Sequence, residues 1–147
     1  MGAEFYYYFV PYEKDLAIAL RELREREFLA GRYNPVVAFP KCPVDLAVAP
    51  GAGHRSIQEA IVASEEDGTR SILDLNALTD KPRFGAITPL SSEALESIYG
   101  ETTPERETVE RNLSKIFNLL ERGHGTCVVV FREGKPDEIL FAGVSFD

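Results

Sequence analysis

Cysteine is scarce in this 147-residue chain, with Cys42 and Cys127 the only two. They are far apart, and Cys127 lies inside an apolar run. That is not the spaced framework that staples small secreted domains; it points to reduced thiols and a cytoplasmic location. Long hydrophobic runs are lacking too. None approaches the roughly 20 residues that cross a bilayer, so no membrane association is expected. Glu4 stands where a secretory leader would carry positive charge, and Tyr6 to Tyr8 interrupt any greasy segment, so no leader is expected either. Basic residues are outnumbered, with 16 Lys and Arg against 24 Asp and Glu and a formal net charge of -8. An acidic balance disfavours nucleic acid, whose nonspecific affinity comes mainly from phosphate neutralisation, and steers the protein towards basic partners.

The chemistry-bearing motifs are missing as well. No Gly-Lys-Ser/Thr loop, Gly-x-Ser-x-Gly elbow, His-Glu-x-x-His helix or Ca²⁺ loop occurs. Leu46 to Ala49, the glycines Gly51 and Gly53, and Asp74 have roughly the spacing of a dinucleotide-binding unit. Ser56 in place of the third glycine and Pro50 at the junction speak against it. Cys42, His54, His124 and Cys127 include no Cys-x-x-Cys half of a structural zinc site. In an extended strand, His124 and Cys127 project to opposite faces, which separates them as a nucleophile–base pair. No cofactor is expected.

What the chain does have is clear periodicity, strong turn punctuation and an ordinary charged fraction of 27%. Phe5 to Val10 and Thr126 to Phe131 read as strands. Glu138 to Phe146 reads as a third, joined to the second by a polar turn around Gly134 and Pro136. Asp15 to Ala30 reads as a helix with Leu16, Ala19, Leu20 and Leu23 on one face, stopped by Gly31. Val36 to Phe39 is a candidate short strand, and Pro40 to Gly53 an irregular excursion. Ser56 and Glu59 have capping-box spacing for a second helix that runs to Asp67-Gly68. Ser71 to Leu75 and Phe84 to Thr88 are candidate strands. Ser91 caps a helix to Tyr99, with Leu90 and Leu95 as its hydrophobic staple. A last helix is expected with Thr103 as cap, Pro104 at its first position and Gly123 as its stop. The expectation is one α+β domain over residues 1–147. Its sheet is mixed or mainly antiparallel, of about five strands, with three to four helices packed on it and both ends of the sequence in strands.

Several residues are candidates for binding. Glu27 lies on the apolar stripe of the first helix. A buried carboxylate there is either a pocket acid or the partner of Arg24 or Arg32, because an unpaired one would take up a proton. Tyr33, Asp74 and His124 come from separate segments and, with Glu27, are candidates to line one pocket. Tyr6 and Tyr8 share a strand face and, if exposed, would serve as partner anchors. Three functions compete. The first is a non-catalytic protein-binding module, inhibitor- or immunity-like towards a basic protein partner. The second is a small-molecule-binding domain or small enzyme with a pocket near Glu27, Tyr33, Asp74 and His124. The third is a homo-oligomer formed through edge strands.

Overall fold

The computed structural model describes residues 3–33 and 54–147. The expected Val36–Phe39 strand, the Pro40–Gly53 excursion, Cys42 and the glycine loop Gly51–Gly53 lie outside the described residues. The fold is α+β. One mixed sheet has the order β1-β5-β4-β3-β2. Its strands are β1 (Phe5–Pro11), β2 (Ala77–Leu78), β3 (Ala86–Pro89), β4 (Gly125–Arg132) and β5 (Lys135–Val144). β5 pairs antiparallel with both β1 and β4, while β4/β3 and β3/β2 are parallel. The first and last strands in the sequence are therefore hydrogen-bonded neighbours, with Phe5 opposite Val144.

Glu133 and Gly134 join β4 to β5 with φ values of 51° and 79°. Two consecutive residues at positive φ match the right-handed twist of a hairpin. A register shift between Val130 and Phe131 accommodates Pro136, which cannot donate to the ladder.

The helices cover both faces. On one lie α1 (Leu16–Leu29), α2 (Ile57–Ala63) and a 3-10 turn at Ile72–Asp74. They pack Leu20, Leu23, Ile72, Leu73 and Leu75 against Tyr6, Tyr8 and Phe141. On the other face lie α3 (Ser92–Tyr99), α4 (Arg106–Arg111) and α5 (Leu113–Leu119), which carry the crossover from β3 to its parallel neighbour β4. There Val109 and Ile116 pack on Val128, Val130, Leu140 and Ala142. β4 is thus covered on both sides, as its continuous apolar run requires. Caps follow the sequence closely. The Asp15 carboxylate accepts from the Ala17 and Ile18 amides, Ser56 from Glu59, and Ser91 from Ala94.

Two expected elements are corrected. Ser71–Leu75 is not a strand. Ser71 Oγ accepts from the Leu73 amide, and the Asp74 carboxylate accepts from the Thr69 and Arg70 amides. Such local side-chain bonds compete with a ladder and hold a tight turn. The final helix does not run from Thr103 to Gly123. The Pro104 carbonyl accepts from the Phe131 amide and Glu105 bridges to Phe131, so the chain stays extended and Glu105 becomes the N-cap. Asn112, at φ -112° and ψ 17°, then interrupts it, its side-chain amide bonding the Thr108 carbonyl. One expected helix becomes α4 and α5, which raises the count to five among the described residues.

Candidate binding cleft

The lower rim of the sheet carries a cleft of about 530 Å³ lined by Val62, Glu65, Gly68, Asp74, Phe84 and Phe146, among others. Gly68 makes it possible. Its φ is +76°, and a Cβ there would stand 2.6 Å from the Phe146 ring and 2.9 Å from Asp74 Oδ2. Only glycine lets the backbone approach this closely at that dihedral. Past Gly68 the chain turns so that Asp74 Oδ1 accepts from the Thr69 amide at 2.9 Å and the Thr69 hydroxyl at 2.7 Å, while Oδ2 accepts from the Arg70 amide at 3.2 Å. Burial raises the Asp74 pKa above the usual carboxylate range; the hydrogen bonds from Thr69 and Arg70 and the nearby Arg24 offset only part of that rise. Arg24 itself donates to the Leu73 carbonyl at 2.8 Å, and burial lowers its pKa.

The outer wall is aromatic. Phe84 and Phe146 have ring centroids 5.3 Å apart and planes at 52°. Phe84 is 60% exposed and Val62 59%, so the mouth is apolar. The base of the cleft is held by an ion pair at its side. Arg70, at φ 52°, reaches Asp147 at 2.6 Å and sits within 3.8 Å of Glu4. Burial acts to raise the Asp147 pKa, but the Ser145 hydroxyl and the Arg70 guanidinium outweigh it and leave that carboxyl below its ordinary range.

A second cleft, of about 570 Å³, opens beside β3 and the start of β4. Asp80, Glu121 and His124 line it, with Leu90, Leu119 and Leu120 as apolar lining. His124 Nδ1 donates to the Arg122 carbonyl at 3.0 Å. A carbonyl oxygen can only accept, so Nδ1 carries the proton and Nε2 is the acceptor of the neutral ring. Among the described residues, neither cleft has a Lys or Arg in its lining.

The residues singled out in the sequence are scattered. Glu27 is 1% exposed and held in ion pairs: Arg32 grips it with two bonds of 2.9 and 2.7 Å, and Arg26 adds a third at 3.1 Å. Tyr33 is buried, stacks on Phe28 and shares a 2.7 Å hydrogen bond with His54 Nδ1. Burial, with the Glu59 carboxylate adding to it, pushes its phenol up to about 12. Asp74 lines the first cleft and His124 the second, while Glu27 and Tyr33 line neither. The four do not meet in one of these clefts. Tyr6 and Tyr8 are corrected as surface anchors. Both are buried against α1 and the 3-10 turn, and Tyr8 accepts from the Ile72 amide. Tyr7, on the opposite strand face, is the exposed one of the three. Cys127 is a buried core residue whose thiol burial pushes up to about 12, which leaves it a poor nucleophile. Among the described residues, no group of three or more His, Cys, Asp or Glu is placed to hold a metal ion, and no helix is long and apolar enough to cross a membrane.

Sequence reasoning missed Val62, Glu65, Phe84 and Phe146 as a group. Their only signal is Phe84, an aromatic residue between polar Arg83 and Gly85 just ahead of β3. No family model, curated protein or solved structure matches this chain.

Proposed function

We propose that the protein is a non-catalytic binding module for a basic protein partner, and that the cleft at Asp74 receives a cationic side chain of that partner. One observation carries the reading. A partly buried carboxylate and the Glu65 side chain share a cleft with two phenyl rings, and no lining Lys or Arg among the described residues competes for them. An aromatic face near a carboxylate attracts a guanidinium or ammonium, with a cation–π contribution of roughly 0.5–2 kcal/mol. Charge-assisted hydrogen bonds to the carboxylate add to it and set orientation. The overall charge of -8 would speed encounter with a basic surface. The second and third readings, a pocket shared by Glu27, Tyr33, Asp74 and His124 and pairing through edge strands, have no comparable support.

The test compares blocked arginine amide with blocked citrulline amide, which has nearly the same shape and no charge, by chemical-shift titration. Arginine amide should perturb Asp74, Phe84 and Phe146 at millimolar concentration, with affinity falling as salt is added. Phe84→Ala, at an exposed position, should weaken it several-fold. Equal perturbation by the two compounds would overturn the proposal.

A further inference from the structure

We infer that the two clefts act as a pair, and that the element they recognise is a short segment of the partner carrying two basic side chains. This rests on the binding reading above and specifies its partner.

Phe84 links the two clefts. It lines the first cleft, and its ring meets the His124 ring edge-on, with centroids 6.4 Å apart and planes at 88°. His124 lines the second cleft. Phe146, Phe84 and His124 thus form one continuous ring partition with a cleft on either side. Each cleft brings two carboxylates: Asp74 and Glu65 in the first, Asp80 and Glu121 in the second. In the second, the His124 ring stands beside the carboxylates, its Nδ1 hydrogen-bonded to the Arg122 carbonyl. Both are suited to a donor-rich cation, and they are adjacent. An extended chain rises about 3.3 Å per residue, so a segment of a few residues spans the Phe84–His124 contact, whose ring centroids are 6.4 Å apart. Two basic residues close together in such a segment would place one side chain on either side of it. Each cleft alone gives only weak binding, but tethering turns the second contact into an intramolecular one at millimolar effective concentration.

Titration calorimetry on the whole chain tests this with blocked peptides in which two arginines are adjacent or separated by one or two glycines. Each is compared at one ionic strength with a peptide of equal length whose second arginine is citrulline. At least one two-arginine peptide should bind tenfold or more tighter than its counterpart. That gain should vanish in Asp80→Asn/Glu121→Gln, two exposed positions, leaving the two-arginine peptide no tighter than its single-arginine counterpart. A gain below tenfold for all three spacings, or one that survives in the double variant and so reflects general charge attraction, overturns the pairing. If single-arginine peptides bind at the Asp74 cleft without the gain, only the pairing falls. If no arginine peptide binds, the proposed function falls with it.

Discussion

The face of the sheet under α3, α4 and α5 is sealed mainly by aliphatic side chains, with the Tyr99 and Thr126 hydroxyls as its polar exceptions, whereas the face under α1 and α2 also buries ionic groups and several hydroxyls. On the first, Val109, Ile116, Val128, Val130, Leu140 and Ala142 form a cluster whose members need no hydrogen-bond partners. On the second, Glu27, Ser64, Thr69 and Ser71 are all buried, and Asp74 sits just below the surface. The Tyr6 hydroxyl and Arg24 Nε there have no hydrogen-bond partner among the described residues. Apolar burial contributes roughly 25 cal/mol per Å² with no geometric condition. Buried polar groups contribute little net stability even when paired, and cost stability when a partner is lost. The difference teaches a division of labour. The aliphatic face holds the fold together, and the polar face fixes the geometry of the Asp74 turn at the expense of stability.

Substitutions in the two faces sharpen that contrast, and the largest effects are expected from core truncation and broken pairing. Leu140→Ala, at a position with 0% exposure in the aliphatic cluster, should cost about 2–5 kcal/mol in urea unfolding. On the polar face, Arg32→Met removes the two-bond partner of Glu27 and should cost up to about 3 kcal/mol, moderated because Arg26 still reaches the carboxylate. Glu27→Leu together with Arg32→Met should restore most of that loss, since a buried ion pair is often replaceable by apolar residues. A double variant as unstable as Arg32→Met alone would show that the pair is a source of stability and would break the comparison.

Gly68→Ala comes next. The new Cβ would force either the φ of +76° to change or the Phe146 ring to move. A loss of about 1–3 kcal/mol is expected, in the range for a non-glycine residue held in a sparsely populated conformation. The same variant should weaken the arginine amide titration, because Phe146 is one wall of the cleft. Lost stability with intact binding would detach the Gly68 turn from function.

How legible this was in the sequence depended on whether the signal was local. The α1 stripe, the Ser56 and Ser91 caps and the hairpin at Gly134 are all set by neighbours within a few residues, and each appears where the pattern put it. Ser71–Leu75 misled because its β-branched and aliphatic residues fit a strand, while the Ser71 and Asp74 side chains bond the nearby backbone instead. The extended Pro104–Glu105 depends on Phe131, more than twenty residues later, which no local window contains. Of the site, Asp74 and His124 stood out in the sequence as polar residues in suggestive settings. Phe84 and Phe146 did not, because their partnership is made by the sheet, which brings the start of β3 and the end of β5 to the same rim on either side of β4.

A smaller effect separates capping from the contrast between faces. Asp15→Ala deletes a carboxylate that accepts from the Ala17 amide at 2.9 Å and the Ile18 amide at 3.4 Å. The cost should be about 1 kcal/mol, typical of an N-cap, and should leave arginine binding unchanged because α1 starts away from both clefts. A larger loss would mean that the start of α1 supports the polar face more than its exposed cap suggests.

The smallest expected effect is a pH dependence that belongs to Asp74 alone. Its pKa in the folded protein is raised above the ordinary 3.8, with burial the leading cause. The folded state therefore holds the proton more tightly than the unfolded chain. The stability from this group is fully present below the ordinary carboxylate value and is lost as pH rises through the raised one. The facing groups are Arg24 from α1, Tyr6 from β1, and Thr69 and Arg70 from the turn itself. Asp147, whose pKa is lowered, works in the opposite sense, its contribution being lost as pH falls, so the wild-type profile alone mixes the two. The difference between Asp74→Asn and wild type isolates the first. Asparagine stays neutral and keeps an acceptor for the Thr69 amide, so the variant should gain stability relative to wild type as pH rises from about 4 towards neutral. Over the same interval wild type should gain affinity for arginine amide, as the carboxylate forms. A flat difference profile would mean that Asp74 is not desolvated, and the polar face would then owe its lower stability to Glu27 and the hydroxyl groups instead.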